Sequence, residues 1–227
     1  MSPVRHRPSR ARAVVFDCDG LLLDTEPLWE VAERAFLTEL GGTWHPRLRR
    51  LTLGRSVAGS ARLLAEEAGA RLPEEDAATF LVQHFEKAIA RTAVPPMPGA
   101  LALLDALAAT DTPLAVASNS PAPVLERLLR QAGVRERFTT VVAAGAGLAP
   151  KPAPDVYRTA CDLLGVEPSS AHALEDSQPG VDAARAAGLT VTGVSADRSV
   201  RLHGCRRVQS LGEVTLGMLG AREERHG

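Results

Sequence analysis

Apolar and polar positions along this chain fall into two regimes. The first opens with a short apolar run, Ala13-Val14-Val15-Phe16, closed by Asp17-Cys18-Asp19-Gly20. Four apolar residues rich in Val and Phe read as a strand buried inside a parallel sheet. An apolar turn, Leu21-Leu22-Leu23, leads to a helix start with Thr25 as its N-cap and Pro27 in the first turn. Leu28, Val31, Ala35, Phe36 and Leu40 keep helical spacing until Gly41-Gly42 stops the pattern. A second helix is predicted over about 57–68. A third follows Pro73, with Glu74, Glu75 and Asp76 in its first turn and Ala78, Leu81, Phe85 and Ile89 on its apolar face. Three helices with no strand between them predict a small bundle.

Val94-Pro95-Pro96-Met97-Pro98-Gly99 then denies any helix continuation. Beyond it the pattern alternates: helix 100–109, strand 114–117, helix 122–132, strand 140–143, helix 154–164, strand 171–174, helix 179–187 and strand 190–194, with a last short strand and helix in the tail. Such repetition implies an α/β fold, a parallel sheet with helices on both faces. The predicted organisation is an α/β core of residues 12–26 and 94–227, interrupted after its first strand by a helical cap at 27–93. The two crossings, 24–27 and 93–98, are short and adjacent, a hinge pair that lets a cap open and close over the strand ends.

Composition narrows the function classes. With 45% hydrophobic and 23% charged residues, the chain has an ordinary globular make-up and enough apolar mass for a core. A formal net charge of -1 gives no electrostatic case for nucleic acid or an anionic membrane as partner. Cys18, Cys161 and Cys205 are odd in number and widely spaced, which offers neither a zinc spacing nor a disulfide framework and favours a reducing cytoplasm. Cys18 lies between two aspartates at alternate parity and reads as packing. No apolar run reaches transmembrane length. Arg5, Arg7, Arg10 and Arg12 in the first dozen residues, with Pro3 and Pro8 and no apolar h-region after them, do not make a secretory signal, and 1–11 reads as a basic flexible tail. A cytoplasmic monomer or weak dimer is expected.

The candidate chemistry sits where the predicted strands end, since the ligand crevice of an open α/β sheet lies outside the carboxyl ends of its strands. Asp17 and Asp19, at i and i+2, leave the first strand on one side, and two close carboxylates repel unless a cation joins them. A hard divalent ion such as Mg2+ suits them. The EF-hand spacing fails, because Gly20 follows Asp17 at three residues and not five. Ser118-Asn119 ends the second strand beside a helix start, a phosphate-ready pair of donors or, more plainly, an N-cap. Lys151 precedes a proline-initiated helix and can reach inward or stay on the surface. Glu175-Asp176 ends the fourth strand, either as solvated acids or as two more carboxylates for Mg2+.

Taken together and in this order, Asp17-Cys18-Asp19-Gly20, Ser118, Lys151 and Glu175-Asp176 resemble the four motifs of the haloacid dehalogenase superfamily, over roughly residues 12 to 220. The branch resembled is the phosphatase-like one with a helical cap inserted after the first strand of a Rossmann-like core. Leu22-Leu23-Asp24-Thr25-Glu26-Pro27-Leu28-Trp29 and Ala173-Leu174-Glu175-Asp176-Ser177 are similar to stretches of hexose- and hexitol-phosphate phosphatases such as those for hexitol and 2-deoxyglucose 6-phosphates, and the four motifs are shared with β-phosphoglucomutase. The resemblance implies Asp17 as nucleophile, forming an aspartyl-phosphate, and Asp19 as general acid and base. It implies Mg2+ on Asp17, Asp176, Glu175 and the backbone carbonyl of Asp19, and phosphoryl oxygens held by Ser118, Asn119 and Lys151. Dehalogenases and phosphonatases lack an acid at the position of Asp19. The mutase family places a histidine where this chain has Trp29, a residue that serves either as a core aromatic or as a sugar-stacking platform.

Specificity is expected in the cap, from Glu26, Trp29 and Arg55, with Gly54 letting the loop before Arg55 bend; Arg55 either reaches substrate or is a surface charge at a helix start. The reading is a Mg2+-dependent phosphatase for a small phosphorylated metabolite, a sugar or polyol phosphate. Its alternatives are a phosphosugar mutase and, outside enzymology, a non-catalytic binding relative.

Overall fold

The structure is a computed structural model that describes residues 13–53 and 55–220. The basic tail expected at 1–11, and Gly54, lie outside the described residues. The first apolar run forms β1 (Ala13–Phe16), every residue of it buried. Leaving the sheet, the chain turns at Gly20, with φ +81°, and the amides of Leu22 and Leu23 both donate to the Cys18 carbonyl at 3.0 Å. Left-handed backbone is open to glycine at no steric cost.

Four helices follow: α1 (Glu26–Glu39), α2 (Pro46–Thr52), α3 (Val57–Glu67) and α4 (Glu74–Ile89). The hydrophobic pattern predicts three. The extra one, α2, has only seven residues, too few for its apolar positions to show a period, although Pro46 at its first turn is a start signal. Thr25 precedes α1 as expected, but its side chain caps nothing; the hydroxyl donates to Asp19 instead. Leu28, Ala32 and Phe36 of α1 pack with Ala61, Leu64, Leu81 and Phe85 of α3 and α4 in one apolar layer.

After Pro95 the alternation appears as read: α5 (Ala100–Ala108), β2 (Leu114–Ser118), α6 (Ala122–Gln131), β3 (Thr140–Ala143), α7 (Asp155–Leu164), β4 (Ala171–Glu175), α8 (Gln178–Ala187), β5 (Thr190–Val194), β6 (Arg206–Val208) and α9 (Leu216–Leu219). The strands form one parallel sheet in the order β3-β2-β1-β4-β5-β6. Side chains alternate across it. Val14, Phe16 and Val116 face α5 and α6, whereas Val15, Ala115, Ala117 and Ala173 face α7 and α8. The small alanines on the second face let Tyr157 of α7, fully buried, lie close against the sheet. Cys18 is buried within the first of these layers, and burial pushes its thiol well above the ordinary range, as expected of packing. Among the described residues no helix is long and apolar enough to cross a membrane.

The chain passes β1, β2 and β3 on one side and then crosses to β4 on the other side of β1. Strand order reverses at β1, so the crevice the topology opens lies at its carboxyl end, where Asp17 follows.

Candidate active site

Two strand ends and one loop bring their charged residues together there. Asp17 follows β1, Glu175 ends β4 with Asp176 behind it, and Lys151 comes from the loop between β3 and α7. The Lys151 Nζ donates to Asp17 Oδ1 and to Glu175 Oε1, each at 2.5 Å, and Lys151, Asp17 and Glu175 are all buried. Glu175 Oε1 also accepts from the Tyr157 hydroxyl at 2.6 Å, and its Oε2 from the Ser177 hydroxyl at 3.2 Å. Gly180 is required at this spot, because a Cβ there would run into the Glu175 carboxylate.

The electrostatics follow from the count of charges. Burial pushes the Asp17 carboxyl up to about 8; Lys151 opposes that, and Glu175 and Asp19 add to it. Asp176 is likewise pushed well above the carboxylate range, by burial and then by Asp17 and Glu175. Burial pulls the Lys151 ammonium down, but Asp17 and Glu175 more than reverse this, so it holds its proton more tightly than a free lysine. One ammonium thus faces several acids in a space short of positive charge. Ligand oxygens of Asp17, Glu175 and Asp176 lie within 4.8 Å of one another, a hard-oxygen donor set fitting a divalent cation such as Mg2+. Gly20 keeps Asp176 in place, since a Cβ at Gly20 would stand 2.5 Å from Asp176 Oδ2.

Asp19 faces the same cavity and accepts from four donors. Its Oδ1 takes the Thr25 hydroxyl and the Trp29 Nε1, both at 2.9 Å; its Oδ2 takes Ser118 Oγ at 3.1 Å and Ser120 Oγ at 2.8 Å. Ser118 is therefore engaged with Asp19 in this structure. Asn119 clips the loop of Lys151, its Oδ1 accepting from the Lys151 amide at 2.8 Å.

Across the cavity stand side chains of α1 and α2. Trp29 stacks on Phe85, ring centroids 3.7 Å apart and planes 10° from parallel, so one indole face is covered while its N–H points to Asp19. Arg49 forms an ion pair with Glu26, and its Nη1 lies 3.3 Å from Glu33 Oε1. Burial pushes Glu33 up to about 7 and pulls Arg49 down to about 10. Arg55 is exposed at the cavity mouth, its Nε donating to the Leu51 carbonyl at 2.5 Å.

The structure thus gathers Asp17, Asp19, Glu26, Trp29, Arg55, Ser118, Asn119, Lys151 and Asp176 on one cavity, with Glu175 directly behind it. Sequence reasoning missed Arg49, Glu33, Ser120 and Tyr157. Arg49 was lost with α2. Glu33 had a signal, a charge four residues from Trp29 and from Leu37 on the apolar face of α1. Ser120 repeats Ser118 two residues on, and Tyr157, the chain's only tyrosine, left no sequence signal.

A charged cluster after the innermost strand of a parallel sheet, roofed by helices inserted directly behind it, defines a class of α/β enzyme that assembles its site on the first strand. Residues 11–188 match the family model for haloacid dehalogenase-like hydrolases, and the chain belongs to that family. It is 34% identical over 194 residues to a plasmid-borne protein CbbY of Cupriavidus necator, covering 78% of this chain and 76% of that one. Hexitol phosphatase B of Escherichia coli is 32% identical over 186 residues, 79% of this chain and 82% of its own. The crystal structure of a CbbY variant from Rhodobacter sphaeroides in complex with xylulose-1,5-bisphosphate superposes with TM-score 0.80 at 29% identity, covering 89% of this chain and 96% of that one.

Proposed function

We propose that this hydrolase is a Mg2+-dependent phosphatase that acts on a small phosphorylated metabolite, a sugar or polyol phosphate, through an aspartyl-phosphate. The observation that carries the reading is the Lys151 ammonium clamped at 2.5 Å between Asp17 and Glu175 at the end of the innermost strand. A carboxylate fixed by one oxygen is oriented as a nucleophile, and a phosphoryl group approaching it needs cations to offset repulsion between anions. Asp17, Asp176, Glu175 and the Asp19 main-chain carbonyl would hold Mg2+, which supplies positive charge beside the transferring phosphoryl group when bound.

In the proposed reaction an Asp17 carboxylate oxygen forms a bond to phosphorus while the bond from phosphorus to the ester oxygen breaks. Asp19, in its protonated form, gives its proton to the leaving alkoxide and the alcohol departs. Asp19 then accepts a proton from water as that water attacks the aspartyl-phosphate, which frees phosphate and restores Asp17. Lys151 keeps Asp17 oriented throughout, and the donors around Asp19 set where its carboxylate stands. The helical segment 27–93 acts as a cap over the core, hinged at its two crossings.

The test is phosphate release across sugar, polyol, glycolate and nucleotide phosphates, with Mg2+ and with a chelator, and with β-glucose 1-phosphate coupled to detection of the 6-phosphate. Metal-dependent release from one class, abolished in Asp17→Asn with an unchanged melting temperature, is the expected result. Isomerisation with little free phosphate would replace this reading with that of a phosphosugar mutase.

A further inference from the structure

We infer that Glu26, Arg49 and Glu33 form the wall that recognises the non-reacting end of the substrate, and that this end is an uncharged polyhydroxylated chain and not a second phosphate. The inference rests on the phosphatase reading and deepens it. Glu33 is the key residue. Its side chain is only 3% exposed, yet it borders the cavity that Asp17 and Asp19 also line. Its oxygens lie 3.3 and 3.4 Å from Arg49 Nη1, longer than the roughly 2.7–2.9 Å of a good charge-assisted bond, so the carboxyl keeps acceptor capacity on the cavity side. A carboxyl has room for more donors than these two long contacts supply, and a ligand hydroxyl can take the rest.

Arg49 does not make this wall cationic. Its guanidinium pairs with Glu26, approaches Glu33 and donates to Thr52 Oγ1 at 3.3 Å. One cation between two acids offers a phosphate dianion no net attraction, and like-charge contact disfavours the wrong ligand. Hydroxyl groups suit the same wall: each donates to a carboxyl of Glu26 or Glu33 and accepts from an Arg49 N–H, while the Thr52 hydroxyl gives its own proton to the Arg49 carbonyl at 3.2 Å. Apart from Lys151 at the reacting end, the positive charge nearby is that of exposed Arg55 at the mouth, beside a groove bordered by Arg50 and Arg62.

The test compares kcat/KM of the full-length protein for sorbitol 6-phosphate, xylulose 1,5-bisphosphate and p-nitrophenyl phosphate, which carries no alkyl hydroxyls. The wild-type protein is expected to prefer the hexitol monophosphate to the bisphosphate. In Glu33→Leu the ratio of sorbitol 6-phosphate to p-nitrophenyl phosphate should fall roughly 10–100-fold, mostly through KM. An unchanged ratio, or a preference for the bisphosphate, would overturn the inference. Should Glu33→Leu fail to give a cooperative melt, Glu33→Gln keeps the shape and should still lower the ratio by about 3–10-fold. Calorimetry of sorbitol 6-phosphate in an Asp17→Asn background reads recognition without turnover. Release from no compound, with binding that still depends on Glu33, would refute the phosphatase reading alone; release with a ratio indifferent to Glu33 would refute this one alone.

Discussion

Replacing Trp29 by Phe isolates a single hydrogen bond at the centre of the site. The aromatic ring of Phe retains the stack on Phe85, now at 3.7 Å between centroids, and removes only the N–H that Asp19 Oδ1 accepts at 2.9 Å. A hydrogen bond to a charged group contributes about 1.5–3 kcal/mol. Asp19 is half-buried and keeps Thr25, Ser118 and Ser120 as donors, which places the loss at the lower end. About 1.5 kcal/mol corresponds to roughly tenfold in rate. Steady-state kinetics should therefore show kcat reduced about tenfold with KM changed by less than about threefold, and calorimetric melting should move by no more than about 5 °C. Trp29→His returns a ring N–H and should recover part of kcat. Thr25→Val removes the other donor to the same oxygen, so the double variant should fall short of the sum of the two single effects. Full activity in Trp29→Phe would refute the reasoning and reduce the indole to packing. A loss that tracks the melting temperature and ignores the histidine variant would do the same.

Gly180→Ala should place a methyl group on the Glu175 carboxylate, lowering stability by about 1–3 kcal/mol in urea unfolding and cutting turnover by displacing the partner of Lys151. His172, buried and bonded to Thr192 at 2.8 Å, is pulled by burial to about 4. Below the free value near 6.5 the unfolded chain binds a proton that the folded chain refuses, so this residue's share of stability is present above that pH and is lost as pH falls toward 4. The gap corresponds to roughly 3 kcal/mol. Urea unfolding of wild type and His172→Val between pH 4 and 7 should show the steeper acid loss in wild type; parallel curves would refute the assignment.

Much of the site was legible because strand ends are marked twice in sequence, once by where an apolar run stops and once by the residue that stops it. Ala13–Phe16 followed by Asp17, and Ala171–Glu175 followed by Asp176, carry both marks, and parallel topology then brings residues far apart in sequence together. What could not be read was which donor goes to which acceptor. Thr25 has the sequence signature of a cap and spends its hydroxyl on Asp19, because the turn over 20–22 folds the chain back and brings it within reach of a carboxylate six residues earlier. Arg49 escaped because its seven-residue helix is shorter than two full turns of pattern. Tyr157 is an apolar residue in any periodicity count, and only the approach of α7 to the alanine face turns its hydroxyl into a partner for Glu175.

The two crossings between the sheet and the inserted helices lie side by side. The amide of Asp24 donates to the Pro95 carbonyl, and that of Met97 to the Leu22 carbonyl, each at 2.9 Å, with Leu23 bridged to Pro96. Where the helical segment leaves the sheet, it also returns, at the spacing of a hairpin. For the sheet, the segment is thus an appendage on a closed stem, and its length hardly enters the entropy of closing that stem. A tight turn from Leu23 to Pro96 would satisfy the same rung, and so would a wholly different set of helices. Such a stem is a graft point: one helical block can stand in for another while the strand ends below keep their register.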